Sequence, residues 1–182
     1  MKKLLLFAAL ISVSFFANAQ STTYKAFKVD VDLGYAIPSD GTGTKAGVTF
    51  TVEPHYRLDD AFAIGLRFEG AGLGYDNQTD KQAKVSLLTS YCATAEYYFM
   101  KGGFRPFAGG GLGFFSQKAI AETDNSGDNS TIRASATKFG VFPRIGFEAG
   151  HFRMAATYDI LGNNANYTSF TLGFFFGGGS KK

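Results

Sequence analysis

Residues 27–37 read Phe-Lys-Val-Asp-Val-Asp-Leu-Gly-Tyr-Ala-Ile. Every second residue from Phe27 onward is apolar, and those between are charged or small. A period of two is that of a β-strand, whose successive side chains point to opposite faces of the sheet. The stretch therefore predicts a strand with one apolar and one polar face.

The same alternation recurs seven more times, in 47–57, 62–69, 85–99, 104–114, 138–148, 151–160 and 169–176. No segment has a convincing helical period. Short turns are expected at 58–60, 101–103 and 149–150. They alternate with polar loops at 39–46, 71–84, 117–137 and 162–166. This order predicts an all-β fold, an eight-stranded antiparallel up-and-down barrel with both termini at the short-turn end.

The N-terminus has the three parts of a secretory signal. A basic start with Lys2 and Lys3 precedes the apolar stretch 4–17, and Ala17-Asn18-Ala19 forms a small-x-small cleavage site. We therefore expect a signal peptide at 1–19 and one barrel domain at 20–182. A membrane anchor is the alternative, but the apolar stretch is shorter than the roughly 18–20 residues that span a bilayer.

Composition narrows the function classes. Of 182 residues, 16% are aromatic and 18% are charged, and Cys92 is the single cysteine. The aromatic content excludes a disordered chain, and one cysteine excludes a disulfide scaffold. Without Lys2 and Lys3 the chain has sixteen basic and fifteen acidic residues. This near-neutrality argues against a nucleic-acid partner.

Alternation alone does not show whether the polar face points outward to solvent or inward to the barrel interior. A soluble barrel therefore remains an alternative to a membrane barrel. The polar face is rich in glycine, which weakens a solvent-facing strand but suits a crowded barrel interior. Aromatic residues of the apolar face lie near both strand ends, as at two membrane interfaces. Both features favour a transmembrane barrel with its polar face inward.

The inward charges are expected to balance, because unpaired buried charge is costly. Seven basic and seven acidic residues share the polar face. With one histidine they form the predicted lumen charge network: Lys28, Asp30, Asp32, Glu53, His55, Arg57, Arg67, Glu69, Glu96, Arg105, Lys138, Arg144, Glu148, Arg153 and Asp159. His151 is also expected to face the lumen. Pro54, Pro106 and Pro143 fall within strands, so we expect β-bulges there.

Three stretches carry a resemblance to a known group of proteins: the signal ending Ala17-Asn18-Ala19-Gln20, the glycine-rich strand 105–113, and the aromatic last strand 170–176. The chain resembles the small eight-stranded outer-membrane barrels of the OmpA/OmpX/OmpW-like group. It is most similar to the outer membrane protein beta-barrel domain family common in Bacteroidetes. The resemblance implies a Gram-negative outer-membrane location, with outer-membrane lipid and the barrel-insertion machinery as partners.

Eight strands leave an interior just wide enough for side chains. The leading hypothesis is therefore a monomeric, charge-plugged barrel with a structural or surface-interaction role. The alternatives are a narrow porin-like channel or a binder of small molecules, and less favoured, a lipid-modifying enzyme. No serine adjoins His55 or His151, so the sequence proposes no catalytic triad. No cofactor or metal site is predicted.

Overall fold

The computed structural model describes residues 23–39, 44–75, 84–121, 131–162 and 165–180. It has eight strands: β1 (Phe27–Pro38), β2 (Thr44–Arg57), β3 (Phe62–Tyr75), β4 (Lys84–Tyr98), β5 (Phe104–Ala121), β6 (Thr131–Ala149), β7 (Phe152–Asp159) and β8 (Tyr167–Gly177). Each strand pairs antiparallel with the next, and β8 pairs with β1 to close the barrel. The predicted fold class is confirmed. The predicted signal peptide lies outside the described residues.

The barrel has two unlike ends. At one end, which we call the turn end, short connections join β2 to β3, β4 to β5 and β6 to β7. Tyr24 pairs with Ser180 there, so both ends of the described chain lie at the turn end. The opposite end, the loop end, carries the remaining connections. Among the described residues no helix is long and apolar enough to span a bilayer.

Several strands extend beyond their predicted ends. β3 continues to Tyr75, and β5 and β6 remain paired as far as Ala121 and Thr131. Parts of the predicted loops 71–84 and 117–137 are therefore strand. The added part of β3, 71–75, alternates glycine with small or apolar residues, and the added part of β5, 117–121, reads Gln-Lys-Ala-Ile-Ala, so neither shows the apolar–polar alternation that identifies a strand in sequence. The parts of these loops at 76–83 and 122–130 lie outside the described residues.

The expectation of β-bulges at the prolines is wrong. Register shifts occur instead between Lys45 and Gly47, and between Lys118 and Ala119. The β2–β3 ladder skips Pro54 and resumes in the same register. The β6–β7 ladder likewise skips Pro143 before the isolated bridge between Val141 and Ile160. A proline lacks the N–H that a ladder needs. In each of these two ladders the proline is left unpaired, and neither strand gains an extra residue.

The two faces of the wall are inverted relative to a water-soluble protein. Leu33 is 65% exposed and Ile145 is 64% exposed, both on the outer surface. Lys28 and Asp30 are fully buried in the interior, the lumen. Such an apolar exterior around a charged interior contradicts the soluble-barrel alternative, because water would solvate the apolar side chains poorly.

Candidate functional site

The lumen is the candidate site, and it holds nearly all of the residues that the alternation selected. Fourteen of the fifteen predicted residues are buried. Lys138 is the exception: it is half-buried and forms no salt bridge with the residues that the structure describes. His151 also differs from expectation. It is exposed in the turn before β7, and its ring stacks on that of Phe175.

Most of these side chains form one connected cluster towards the turn end, which we call the lower ion network. Its members are Lys28, Asp30, Glu53, His55, Arg57, Glu96, Arg105, Arg144, Glu148 and Arg153. The Nη1 and Nη2 atoms of Arg144 donate to Glu53 at 2.6 and 2.8 Å, and Nη2 also lies 2.7 Å from Glu96. Arg153 contacts Asp30, Glu96 and Glu148. Every carboxylate of this network therefore has a cationic partner from another strand.

His55 lies between carboxylates in the lower ion network. Its Nε2 atom is 2.9 Å from Asp30 and 3.2 Å from Glu53, whereas its Nδ1 atom is 3.9 Å from Glu96. Glu53, His55 and Glu96 are close enough to one another to hold a metal ion. However, the two glutamates face opposite nitrogens of the ring, and Arg144 already bridges them. The donor set therefore suits an ion-pair network better than a metal.

A second group of charges, the upper ion group, lies nearer the loop end. Arg67 donates to Asp159 at 2.6 Å and lies 3.9 Å from Glu69, which also accepts a hydrogen bond from the Tyr167 hydroxyl at 2.7 Å. The Arg67 guanidinium is 3.9 Å from the centroid of the Phe142 ring. This cation–π contact joins the upper ion group to the apolar side chains beyond it.

Those side chains form an apolar cap across the lumen: Ala36, Ala71, Leu73, Leu88, Cys92, Phe115, Phe142, Leu161 and Tyr167. Sequence reasoning placed Leu88 and Cys92 on the inner face but missed the two phenylalanines and Tyr167. The same period of two extends to each of them. Phe115 and Tyr167 lie just outside the predicted strands 104–114 and 169–176, and Phe142 is an apolar residue at a polar-face position of 138–148.

Glycines on the inner face make room for the large lumen side chains, as the sequence predicted. A Cβ atom on Gly111 would lie 2.5 Å from the Phe142 ring, and one on Gly146 would lie 2.6 Å from the Phe107 ring. Both distances are well inside van der Waals contact. The glycines thus allow aromatic rings to fill the lumen across its full width.

The turn end opens into a cavity of about 540 Å³ that includes Tyr24, Lys101 and His151 in its lining. The cavity does not continue into the barrel, because Arg57, Arg105 and Glu148 close it on the inner side. Tyr24 packs over Arg57 and Arg105, with its ring centroid 4.9 and 4.1 Å from their guanidinium carbons. The lower ion network therefore ends in a layer of stacked cations and aromatic rings.

Tyr98 is a further lumen residue that sequence reasoning missed, and it carries a testable consequence. Its buried hydroxyl donates to Glu96 at 2.8 Å and also lies 2.7 Å from Glu148. Hydrogen bonds to charged groups contribute about 1.5–3 kcal/mol. We expect Tyr98→Phe to lower the free energy of unfolding by about that amount in a urea titration.

The neighbouring Tyr97 provides the control for this prediction. It is 51% exposed on the outer face, so Tyr97→Phe should leave the unfolding midpoint unchanged. Equal midpoints for the two variants would show that the Tyr98 hydroxyl contributes nothing to the network.

The protein's family follows from comparison with known proteins. Residues 5–180 match the family described as "Outer membrane protein beta-barrel domain". The chain belongs to this family. It is an integral protein of the outer membrane. No curated protein sequence matches the chain.

Solved structures support the same architecture. OprG from Pseudomonas aeruginosa is 12% identical with a TM-score of 0.60, over 88% of this chain and 100% of that one. Neisserial surface protein A is 16% identical with a TM-score of 0.60, over 85% and 98%. Ail, the attachment invasion locus protein of Yersinia pestis, is 14% identical with a TM-score of 0.51, over 85% and 99%. At these identities the likeness concerns the fold alone.

Proposed function

We propose that this outer-membrane barrel is sealed and acts through its structure and its surface, not as a channel. The observation that carries the proposal is the filling of the lumen at successive levels. The lower ion network, the upper ion group and the apolar cap follow one another from the turn end to the loop end. An ion crossing the lumen would have to displace buried salt bridges and then packed aromatic rings.

The same site gives no support to catalysis, and we propose that the protein is not an enzyme. His55 lies within the ion network, and His151 stacks on Phe175 at the turn end. A nucleophilic mechanism needs a base within hydrogen-bond reach of a serine or another nucleophile. Among the described residues no serine is hydrogen-bonded to either histidine.

The partners that we propose follow from the exterior of the barrel. Its exposed apolar side chains fit outer-membrane lipid, and insertion of such a barrel requires the barrel-insertion machinery. We propose that the protein is monomeric and binds no nucleic acid, since its basic and acidic residues are nearly equal in number and most charged side chains of the described residues are buried.

Single-channel recording in a planar bilayer tests the seal. We expect the refolded wild-type barrel to show no conductance steps. The triple variant Arg67→Ala, Arg144→Ala, Phe142→Ala should conduct, because it removes one side chain from each of the three levels that fill the lumen. Phe114→Ala is the matched control, because Phe114 lies on the outer face at 59% exposure and its loss should not open the lumen.

A wild-type barrel that conducts would overturn the seal and favour the narrow-channel alternative. Conductance of the Phe114→Ala variant would instead indicate leakage through a loosened wall. The folded state of each variant is checked beforehand by its gel mobility with and without heating.

A further inference from the structure

Asp32 stands apart from the other lumen carboxylates. It is 4% exposed, yet it forms no salt bridge with the residues that the structure describes, and its buried Oδ1 atom has no hydrogen-bond partner among them. Burying an unpaired carboxylate costs several kcal/mol. Its neighbour on the same face of β1, Asp30, contacts Lys28, His55 and Arg153. Asp32 therefore needs a partner that the described chain does not supply.

The charges of the lumen give the sign of that partner. The buried part of the described lumen holds seven carboxylates but six lysine and arginine side chains. Histidine does not fill the gap at Asp32, because the His55 ring contacts Asp30, Glu53 and Glu96. The partner that Asp32 lacks is thus a positive charge.

A small cavity adjoins Asp32 in the middle of the lumen. Its volume is about 10 Å³, and Thr51, Thr157, Ser169 and Thr171 contribute to its lining. A cavity of roughly this volume holds one particle the size of a water molecule. The Ser169 hydroxyl is buried and also has no hydrogen-bond partner among the described residues. Glu53 and Glu69 also line the cavity, and each is paired with an arginine, so Asp32 is the carboxylate of the lining that has no salt bridge among the described residues. Carboxylate and hydroxyl oxygens thus surround a space for one small occupant.

Three arginines also border the cavity, but each is already engaged. Arg67 pairs with Asp159, Arg144 with Glu53 and Glu96, and Arg153 with Asp30, Glu96 and Glu148. Moving one of them to Asp32 would break an existing pair and leave another buried carboxylate without a partner. None of the three arginines is therefore available to pair with Asp32.

We propose that this cavity is a binding site for one small monovalent cation, sodium, held by Asp32 and the hydroxyl groups beside it. Carboxylate and hydroxyl oxygens are ligands for hard cations. A monovalent ion matches the single negative charge of Asp32, whereas a divalent ion would leave an excess of positive charge beside it. The site does not depend on whether the barrel conducts, and so goes beyond the proposed seal.

Urea unfolding of the refolded barrel in detergent micelles tests the site. Sodium chloride is exchanged for choline chloride at constant ionic strength, because choline is too large for the cavity. A ligand that binds only the folded state raises the folding constant in proportion to its concentration, once that concentration exceeds the Kd. We expect a plot of the logarithm of the folding constant against that of the sodium concentration to approach a slope of one.

Asp32→Asn should reduce that slope to zero, because the neutral amide no longer attracts a cation. Ser90→Ala is the matched control for the hydroxyl ligands: it removes a buried serine hydroxyl that lies outside the cavity lining and should retain the sodium dependence. Ser169→Ala should shift the sodium dependence to higher concentration, and it provides a second variant if Asp32→Asn does not fold.

Two results would overturn the proposal. A zero slope in the wild type would mean that sodium does not bind, and a dependence on pH that is lost in Asp32→Asn would then identify a proton as the occupant. An unchanged slope in Asp32→Asn would place any sodium binding elsewhere. Neither result bears on the seal, which the bilayer recordings test separately.

Discussion

Replacing Arg144 by methionine should destabilise the barrel by about 3–5 kcal/mol, because it leaves buried carboxylates without their cation. Arg144 donates to both oxygens of Glu53 and lies 2.7 Å from Glu96. Methionine fills much of the same volume as arginine. The loss of unfolding free energy therefore comes mainly from the missing charge and not from a cavity. The free energy of unfolding from urea titration measures the effect.

An ion pair with an exposed lysine supplies the control for Arg144. Lys101 lies 3.2 Å from Asp60 at the turn end, and its side chain is 67% exposed. Surface pairs contribute about 0–1 kcal/mol, so Lys101→Met should have a small effect. If Arg144→Met cost no more than Lys101→Met, Glu53 and Glu96 would not depend on Arg144, and the lower ion network would be less tightly coupled than its distances imply.

Strand alternation predicts the face of a residue well but not its partners. The period of two placed Lys28, Glu53 and Arg144 on the same inner surface. It could not pair them, because the salt bridge from Glu53 to Arg144 joins β2 to β6 across the lumen. Such a contact depends on barrel closure and strand tilt, which determine the residues that meet at one height.

The same limit explains why the apolar cap was missed. The expectation of a polar lumen fails at two levels: Tyr98 and Phe107 are buried among the charges near the turn end, and apolar residues fill the lumen beyond Arg67. There Phe115 and Phe142 fill the interior. An inward phenylalanine and an outward one are the same residue type, so composition cannot separate them. Counting every second residue along β5 and β6, whatever its polarity, assigns both phenylalanines to the inner face.

The inner glycines should tolerate substitution least, and Gly173 on β8 tests this at the seam where the barrel closes. A Cβ atom there would lie 2.1 Å from the backbone oxygen of Val31 and 2.6 Å from the Cα atom of Asp32. A backbone atom cannot rotate away as a side chain can, so β1 and β8 would have to separate where the barrel closes. We expect Gly173→Val to cost at least about 3 kcal/mol, the upper part of the range for overpacking.

Gly70 on β3 allows the matched experiment on the outer face. A Cβ atom there meets nothing within 4 Å, so Gly70→Val should fold as well as the wild type or better, since valine favours strands over glycine. The measurement is the fraction of each variant that keeps its folded gel mobility without heating. If both variants folded equally well, the contact between β1 and β8 would have to accommodate a valine side chain. Failure of Gly173→Val alone would show that side-chain size on the inner face, and not glycine content as such, limits what this barrel accepts.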